Sequence, residues 1–269
     1  MKKRFILTVI ITILALTGCG TKPVNQSSGS SQPSVSADSG EVSTPENDIS
    51  DTLQWFNATY AIITTRNEAD YHLTGGYECN EMNKLMMKKG LKDSWDVTDR
   101  ASADETLKWL TEDGGHNSKL LAAYHDNKLD EYSREELMNA LSDESYTDLD
   151  KSYYLGIYDS AQKYGDNAIK AWDLSRAMQL CAWYYLAGYY TYGEAMDSSL
   201  EIASELQKTY TSWDDMMQSY FYGFQYWNDD DMTDETSESY ARIQIYQNLK
   251  ENKDGPYTLD WNYTLQKDW

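Results

Sequence analysis

Seventeen consecutive residues, Ala177 to Gly193, carry no charged side chain, and five of them are Tyr. A helix that is apolar all round is normally buried at the centre of a domain. As a membrane span the run is too short, and Gln179, Gly188 and the five hydroxyls interrupt it. The rest of the chain must therefore wrap this segment. Residues 51–269 contain a single proline, Pro256, together with all nine Trp and all 23 Tyr. Proline inside a helix removes a backbone N–H and clashes with the preceding turn, so its near absence favours helices.

The apolar residues recur at helical spacing. A capping box of Ser102 with Glu105 predicts a helix carrying Leu107 and Leu110 that closes at Gly114-Gly115, and Ser133 with Glu136 predicts another carrying Leu137, Ala140 and Leu141. Further helices are predicted over 52–65, 79–91, 117–127, 145–163, 166–190, 193–209, 212–227 and 234–250. No alternating run of Val, Ile and Thr is long enough to commit to a strand. The expectation is an all-α fold over 51–269, a single multi-helix domain around a central apolar helix. On the helix after the central one, Trp213, Met217, Tyr220, Phe224 and Trp227 share a face and are expected to pack against it.

Ahead of this domain stands a different kind of sequence. Lys2, Lys3 and Arg4 precede an apolar run from Phe5 to Leu16, which stops at Leu16-Thr17-Gly18-Cys19. A basic start, an apolar middle and a small-residue end describe a secretory signal peptide over 1–18. The run is shorter than the roughly 20 apolar residues a bilayer-spanning helix needs. The Leu, small residue, Gly, Cys order resembles the lipobox of bacterial lipoproteins. That resemblance implies that Cys19 becomes the mature N-terminus and carries the lipid, palmitate among its acyl chains. It places the protein on the extracytoplasmic face of the bacterial cell membrane.

Residues 20–50 hold nine Ser, three of the four Pro and no aromatic residue. Such a stretch cannot bury enough apolar surface to offset its ordering entropy, so 19–50 reads as the lipidated Cys and a disordered Ser/Pro-rich linker. A flexible chain of that length spans roughly 30 Å root-mean-square and about 100 Å when taut. A glycosylated stalk is an equal reading of the same composition.

The net charge is −21, from 44 Asp and Glu against 23 Lys and Arg, and losing the three basic residues of the leader takes it to −24. That sign argues against nucleic acid as partner. An anionic membrane would repel the chain as a whole, which makes the lipid the tether.

Chemistry-bearing residues are sparse. Asp173 and Arg176 lie three apart on one helix face, and Arg176 can stack on Trp172 one turn back. Such a pair at the edge of a dry helix either orients helices or presents a charge to a ligand, and the first is the commoner role. The acidic run Asp229-Asp230-Asp231 with Asp234 and Glu235 fails as a calcium loop, having Asp234 at the turn glycine and Tyr240 at the bidentate glutamate. No zinc spacing, P-loop or Gly-x-Ser-x-Gly elbow is present, so no metal and no cofactor is expected. Cys79 and Cys181 either pair in an oxidising compartment or remain separate, Cys181 then being a small core residue. Trp261 and Trp269 are candidates for stacking on glycans, though core packing accounts for aromatic residues first.

The ordered motifs Trp95-Asp96-Val97-Thr98-Asp99-Arg100, Gly115-His116, Trp172-Asp173-Leu174-Ser175-Arg176-Ala177, Ala187-Gly188-Tyr189, Glu194-Ala195 and Ser212-Trp213-Asp214 resemble the bacterial Domain of Unknown Function 1266 family over about 95–227. The chain departs at Asn117, where the family commonly has Arg, which bears on any role needing a cation there. The resemblance implies no reaction. It marks Asp99, Arg100, His116, Trp172, Asp173, Arg176 and Glu194 as candidate functional or structural residues.

The reading that follows is a lipid-anchored binding or interaction module at the cell surface, with an unknown protein, peptide or glycan partner, and leaning away from an enzyme. The alternative is a surface hydrolase built on His116 with Asp99 and Asp173 or Glu194. A solute-binding component of a transporter would need two α/β lobes, which this chain lacks.

Overall fold

The computed structural model describes residues 49–269. The leader, Cys19 and the linker up to residue 48 lie outside the described residues. The first half of the fold runs α1 Asp51–Thr59, α2 Ala61–Arg66, α3 Glu81–Trp95, α4 Arg100–Thr111, α5 Gly115–Asp126 and α6 Arg134–Ala140. It continues with α7 Asp148–Tyr164, α8 Lys170–Ala187, α9 Tyr192–Thr209, α10 Trp213–Asn228 and α11 Glu238–Glu251. Four short 3-10 turns join them, and the described residues contain no strand. The fold is all-α among the described residues, as the proline-poor, helically spaced sequence predicts. No helix among the described residues is long and apolar enough to cross a membrane.

Local chemistry sets most helix starts. Ser133 with Glu136, Thr147 with Asp150, and Thr191 with Glu194 form reciprocal capping boxes at α6, α7 and α9. Each satisfies two backbone N–H groups that the first turn leaves without a partner. At α4 the expected Ser102–Glu105 box is replaced by one a turn earlier. Asp99 is the cap, accepting the Ser102 N–H at 2.9 Å, while Ser102 Oγ accepts the Asp99 N–H at 3.1 Å. Both residues are good cap formers; Asp99 holds the extended backbone a cap requires, with φ −157°.

The predicted helix over 52–65 is broken into α1 and α2 at Tyr60. The buried Tyr60 side chain hydrogen-bonds Asn57, and its hydroxyl accepts the Gly75 N–H at 3.2 Å. These bonds seat the 3-10 turn Thr74–Gly76 over the break.

The uncharged run supplies most of α8, whose residues from Ala171 to Ala182 are all buried. The helix ends at Gly188, which takes φ +77° and satisfies the last carbonyls, so the run does not stay helical to its end. Helices α3, α4, α5, α9 and α10 all pack on α8. Burying each of its Leu and Met side chains contributes about 1.5–3 kcal/mol relative to exposure. At the crossing with α10, a Cβ on Gly223 would lie 2.2 Å from Trp172 Cβ, so the two backbones approach there as no other residue would allow. A smaller second core of Leu120, Leu137, Leu141, Ile157 and Ile169 forms between α5, α6 and α7.

The aromatic face of α10 divides. Tyr220, Phe224 and Trp227 surround Trp172 of α8, at centroid distances of 5.2, 5.4 and 5.8 Å. Trp213 instead joins Trp55 and Trp261, 4.9 Å from each. Trp261 is thereby a core residue, its indole N–H donating to the Tyr210 carbonyl. Trp269 packs on Phe56 and donates to Asp197. Trp261 therefore offers no free stacking face.

Cys79 is exposed and Cys181 buried, and both are free thiols. Burial pushes the Cys181 thiol up to about 12, so it behaves as a small core residue.

Candidate functional site

The candidate residues separate into two groups, each placed at a helix N-terminus. The first lies where α5 meets α8. Helix α5 starts at Gly114 and Gly115, whose φ values are +83° and +49°, and neither carries a capping side chain. The cap arrives from a distant part of the chain: Asp173 Oδ2 accepts the Asn117 N–H at 2.8 Å, a carboxylate against the positive end of the helix. Gly115 is required on two counts. Its backbone is left-handed, and a Cβ there would lie 2.6 Å from Asp173 Cγ.

The other oxygen of Asp173 accepts from Arg176 Nη2 at 2.5 Å, and the same guanidinium donates through Nε to the Trp172 carbonyl at 3.2 Å. Arg176 stacks on Trp172 at 4.4 Å and faces Trp95 at 5.5 Å. Burial pushes the Arg176 guanidinium down to about 10, which leaves it charged at neutral pH. The pair is thus dry, stacked and hydrogen-bonded, the condition under which a buried ion pair holds its geometry.

Arg176 Nη2 also lies 2.9 Å from His116 Nδ1. The same Nδ1 lies 3.3 Å from Asp173 Oδ1, so this nitrogen sits between a donor and an acceptor: it accepts from Arg176 when bare and donates to Asp173 when it carries the proton. Burial pushes the imidazole below its usual 6.5, and the Arg176 and Lys119 charges add to that against the pull of Asp173. His116 is held edge-on to Trp109 at 5.0 Å, and Lys119 lies over the same indole.

A pH dependence follows. The unfolded chain takes up a proton near pH 6.5 that the folded His116 refuses until a lower pH. The unfolded state then binds more protons, so stability present above 6.5 is lost as pH falls through the folded value. His116→Gln should flatten this loss in urea titrations between about pH 7.5 and 5.5. An equally steep loss in the variant would assign it to other groups.

Asn117, the departure from the family pattern, also has a structural task. Its side chain donates to the Asp166 carbonyl at 2.7 Å and accepts the Ile169 N–H at 2.8 Å, tying the α7–α8 connection to α5. An amide both donates and accepts there, which a cation could not.

The second group joins α4 to α9 at the surface. Arg100 donates to Glu194 at 2.9 Å and to Asp104 at 3.1 Å, and stacks on Tyr190 at 4.4 Å. The Tyr190 hydroxyl donates to Asp104 at 2.6 Å. The Thr191 N–H and the Arg100 guanidinium hold the Glu194 carboxyl down to about 2, and the Ser102 N–H lowers that of Asp99. Asp99 is therefore the cap of α4, and Glu194 the reciprocal member of the α9 capping box. Among the described residues no hydrogen bond or ion pair joins this group to His116, Asp173 and Arg176.

Two features escape the sequence reading. A groove of about 450 Å³ runs between α4, α8 and α9, lined by Asp104, Lys108, Glu112, Lys170, Glu201 and Glu205. The four-residue spacing of Glu201 and Glu205 on α9 is the sequence signal for its acidic wall. The other is Arg242 of α11, buried 4.0 Å from the Phe224 ring and bonded to the Tyr220 hydroxyl.

The acidic run after α10 is occupied by its own loop. Asp230 accepts from Ser239, Asp231 from Thr233 and Asp234 from Thr236. Among the described residues no group of three His, Cys, Asp or Glu side chains could hold a metal ion.

An all-α domain whose motif polar residues cap and pair its helices defines the class of protein. The family model described as "Protein of unknown function (DUF1266)" matches residues 90–261, and the chain belongs to that family. The match runs past α10 to take in α11 and Trp261. No curated protein and no solved structure matches the chain.

Proposed function

We propose that the protein is a lipid-anchored, extracytoplasmic binding module. The observation that carries the reading is how the motif side chains are used. Asp99 caps α4, Glu194 completes the capping box of α9, Asp173 caps α5 and pairs with Arg176, and His116 Nδ1 lies against that pair. A hydrolase built on His116 would need its base nitrogen directed at a nucleophile or water, with the second carboxylate close by. Here Asp173, the one candidate carboxylate beside His116, is committed to Arg176 and to the Asn117 N–H, and Asp99 and Glu194 belong to the other group. The molecule then acts through its outer surface, and Leu16-Thr17-Gly18-Cys19 supplies the anchor.

Labelling cells with radioactive palmitate tests the anchor. Wild-type protein should take up label and sediment with membranes, whereas Cys19→Ala should be unlabelled and released. Label retained by Cys19→Ala, or an unlabelled wild type, would overturn this reading.

A further inference from the structure

Of the eight large apolar side chains exposed among the described residues, three stand within five positions on α3. Met82 is 79 % exposed, Leu85 68 % and Met86 43 %, and the i, i+3, i+4 spacing sets them on one face. Helix α3 meets the core through Met87, Leu91 and Trp95, on its opposite side. It is also the most basic helix of a strongly acidic chain, with Lys84, Lys88, Lys89 and Lys92 against Glu81 and Asp93. Those two carboxylates are taken by Lys84 and Lys89. Lys88 and Lys92 form no ion pair among the described residues, Lys88 lying over the Tyr189 ring at 5.6 Å.

We propose that the outward face of α3 docks on an anionic lipid surface, with Met82, Leu85 and Met86 entering the headgroup boundary and Lys88 and Lys92 meeting lipid phosphates. Apolar side chains beside lysines on one helix face are the composition of a helix that lies in the membrane interface. The negative charge of the whole chain does not forbid this. Charges beyond a Debye length of about 10 Å are screened at 0.1 M salt, so an anionic surface at α3 interacts mainly with the lysines facing it. Three apolar side chains make a weak, reversible contact on their own. A lipid on Cys19 would keep such a contact supplied with membrane. In that respect the inference rests on the anchor reading.

The test uses the chain from Gly20 onward, without leader or lipid; every core residue named above lies within 49–269, so the fold is retained. Sedimentation with vesicles of equimolar phosphatidylglycerol and phosphatidylcholine is compared with phosphatidylcholine alone. Binding should occur on the anionic vesicles, and should weaken about fivefold for each of Lys88→Gln and Lys92→Gln. Leu85→Gln with Met86→Gln should abolish it at unchanged circular dichroism, since both side chains are exposed in the fold. No binding, equal binding to both vesicles, or a dimer in sedimentation velocity that the same double substitution dissolves would overturn the proposal. The last result would assign the face to a second copy of the chain. Because the assay contains no lipidated Cys19, failure here leaves the anchor standing, and failure of palmitate labelling leaves this contact standing.

Discussion

Asp173→Ala is expected to lower the unfolding free energy by about 3–5 kcal/mol, the cost of breaking a buried pair by removing one partner. In a domain of this size that corresponds to a fall of about 10 °C in Tm. The loss has three parts. Arg176 stays buried with no carboxylate, the Asn117 N–H loses its acceptor, and the N-terminus of α5 loses the charge that offsets its dipole. Asp173→Asn separates them, since its amide oxygen can still accept from Asn117 while the charge is gone. It should fall between wild type and Asp173→Ala. Urea unfolding checks both, and an Asp173→Ala protein as stable as wild type would show that the contact contributes nothing to the fold.

Gly115→Ala is expected to cost about 3 kcal/mol, although it adds one methyl group. Holding a non-glycine residue in the left-handed region costs about 1–2 kcal/mol. The rest comes from displacing Asp173, whose carboxylate carbon lies 2.6 Å from the new Cβ, and overpacking of that kind costs about 1–3 kcal/mol. The loss should therefore not add to that of Asp173→Ala: once the carboxylate is gone, only the backbone strain remains. Thermal unfolding of both single variants and the double variant reads this directly. Full additivity would mean that the methyl group meets no obstruction at Asp173.

Much of the architecture was legible before any coordinates. The charge-free run marked α8 as the centre because seventeen residues without a charge leave a soluble helix no solvated face. Cap chemistry was legible where one cap former stood alone, as with Ser133, and misleading where two competed, as with Asp99 and Ser102. The α1–α2 break was not legible, because Tyr60 bends the chain through a bond to Gly75, a contact of the folded state. The same limit applies to Trp213, whose helical spacing promises α8 while Trp55 and Trp261 claim it from the two ends of the domain.

At the candidate site, the i, i+3 spacing of Asp173 and Arg176 made their pairing legible. Nothing local announced that Asp173 also caps a helix 56 residues away, or that Gly115 is small to make room for it. A capping side chain in its usual position is a sequence pattern; a cap from another helix is a property of packing. Asn117 is the instructive case, since an absent arginine reads from sequence as a missing cation and turns out to be an amide with two backbone partners.

The central claim is that Gly115, His116, Asp173 and Arg176 build the junction of α5 with α8. A double-mutant cycle over Asp173→Leu and Arg176→Met, followed by urea unfolding, tests it most directly. The account predicts that the double variant is more stable than Asp173→Leu alone, with a coupling of about 1–3 kcal/mol, because removing both charges abolishes the unpaired one. Losses that add to within about 0.5 kcal/mol would contradict it, and would return Asp173 and Arg176 to the pool of residues held for a ligand.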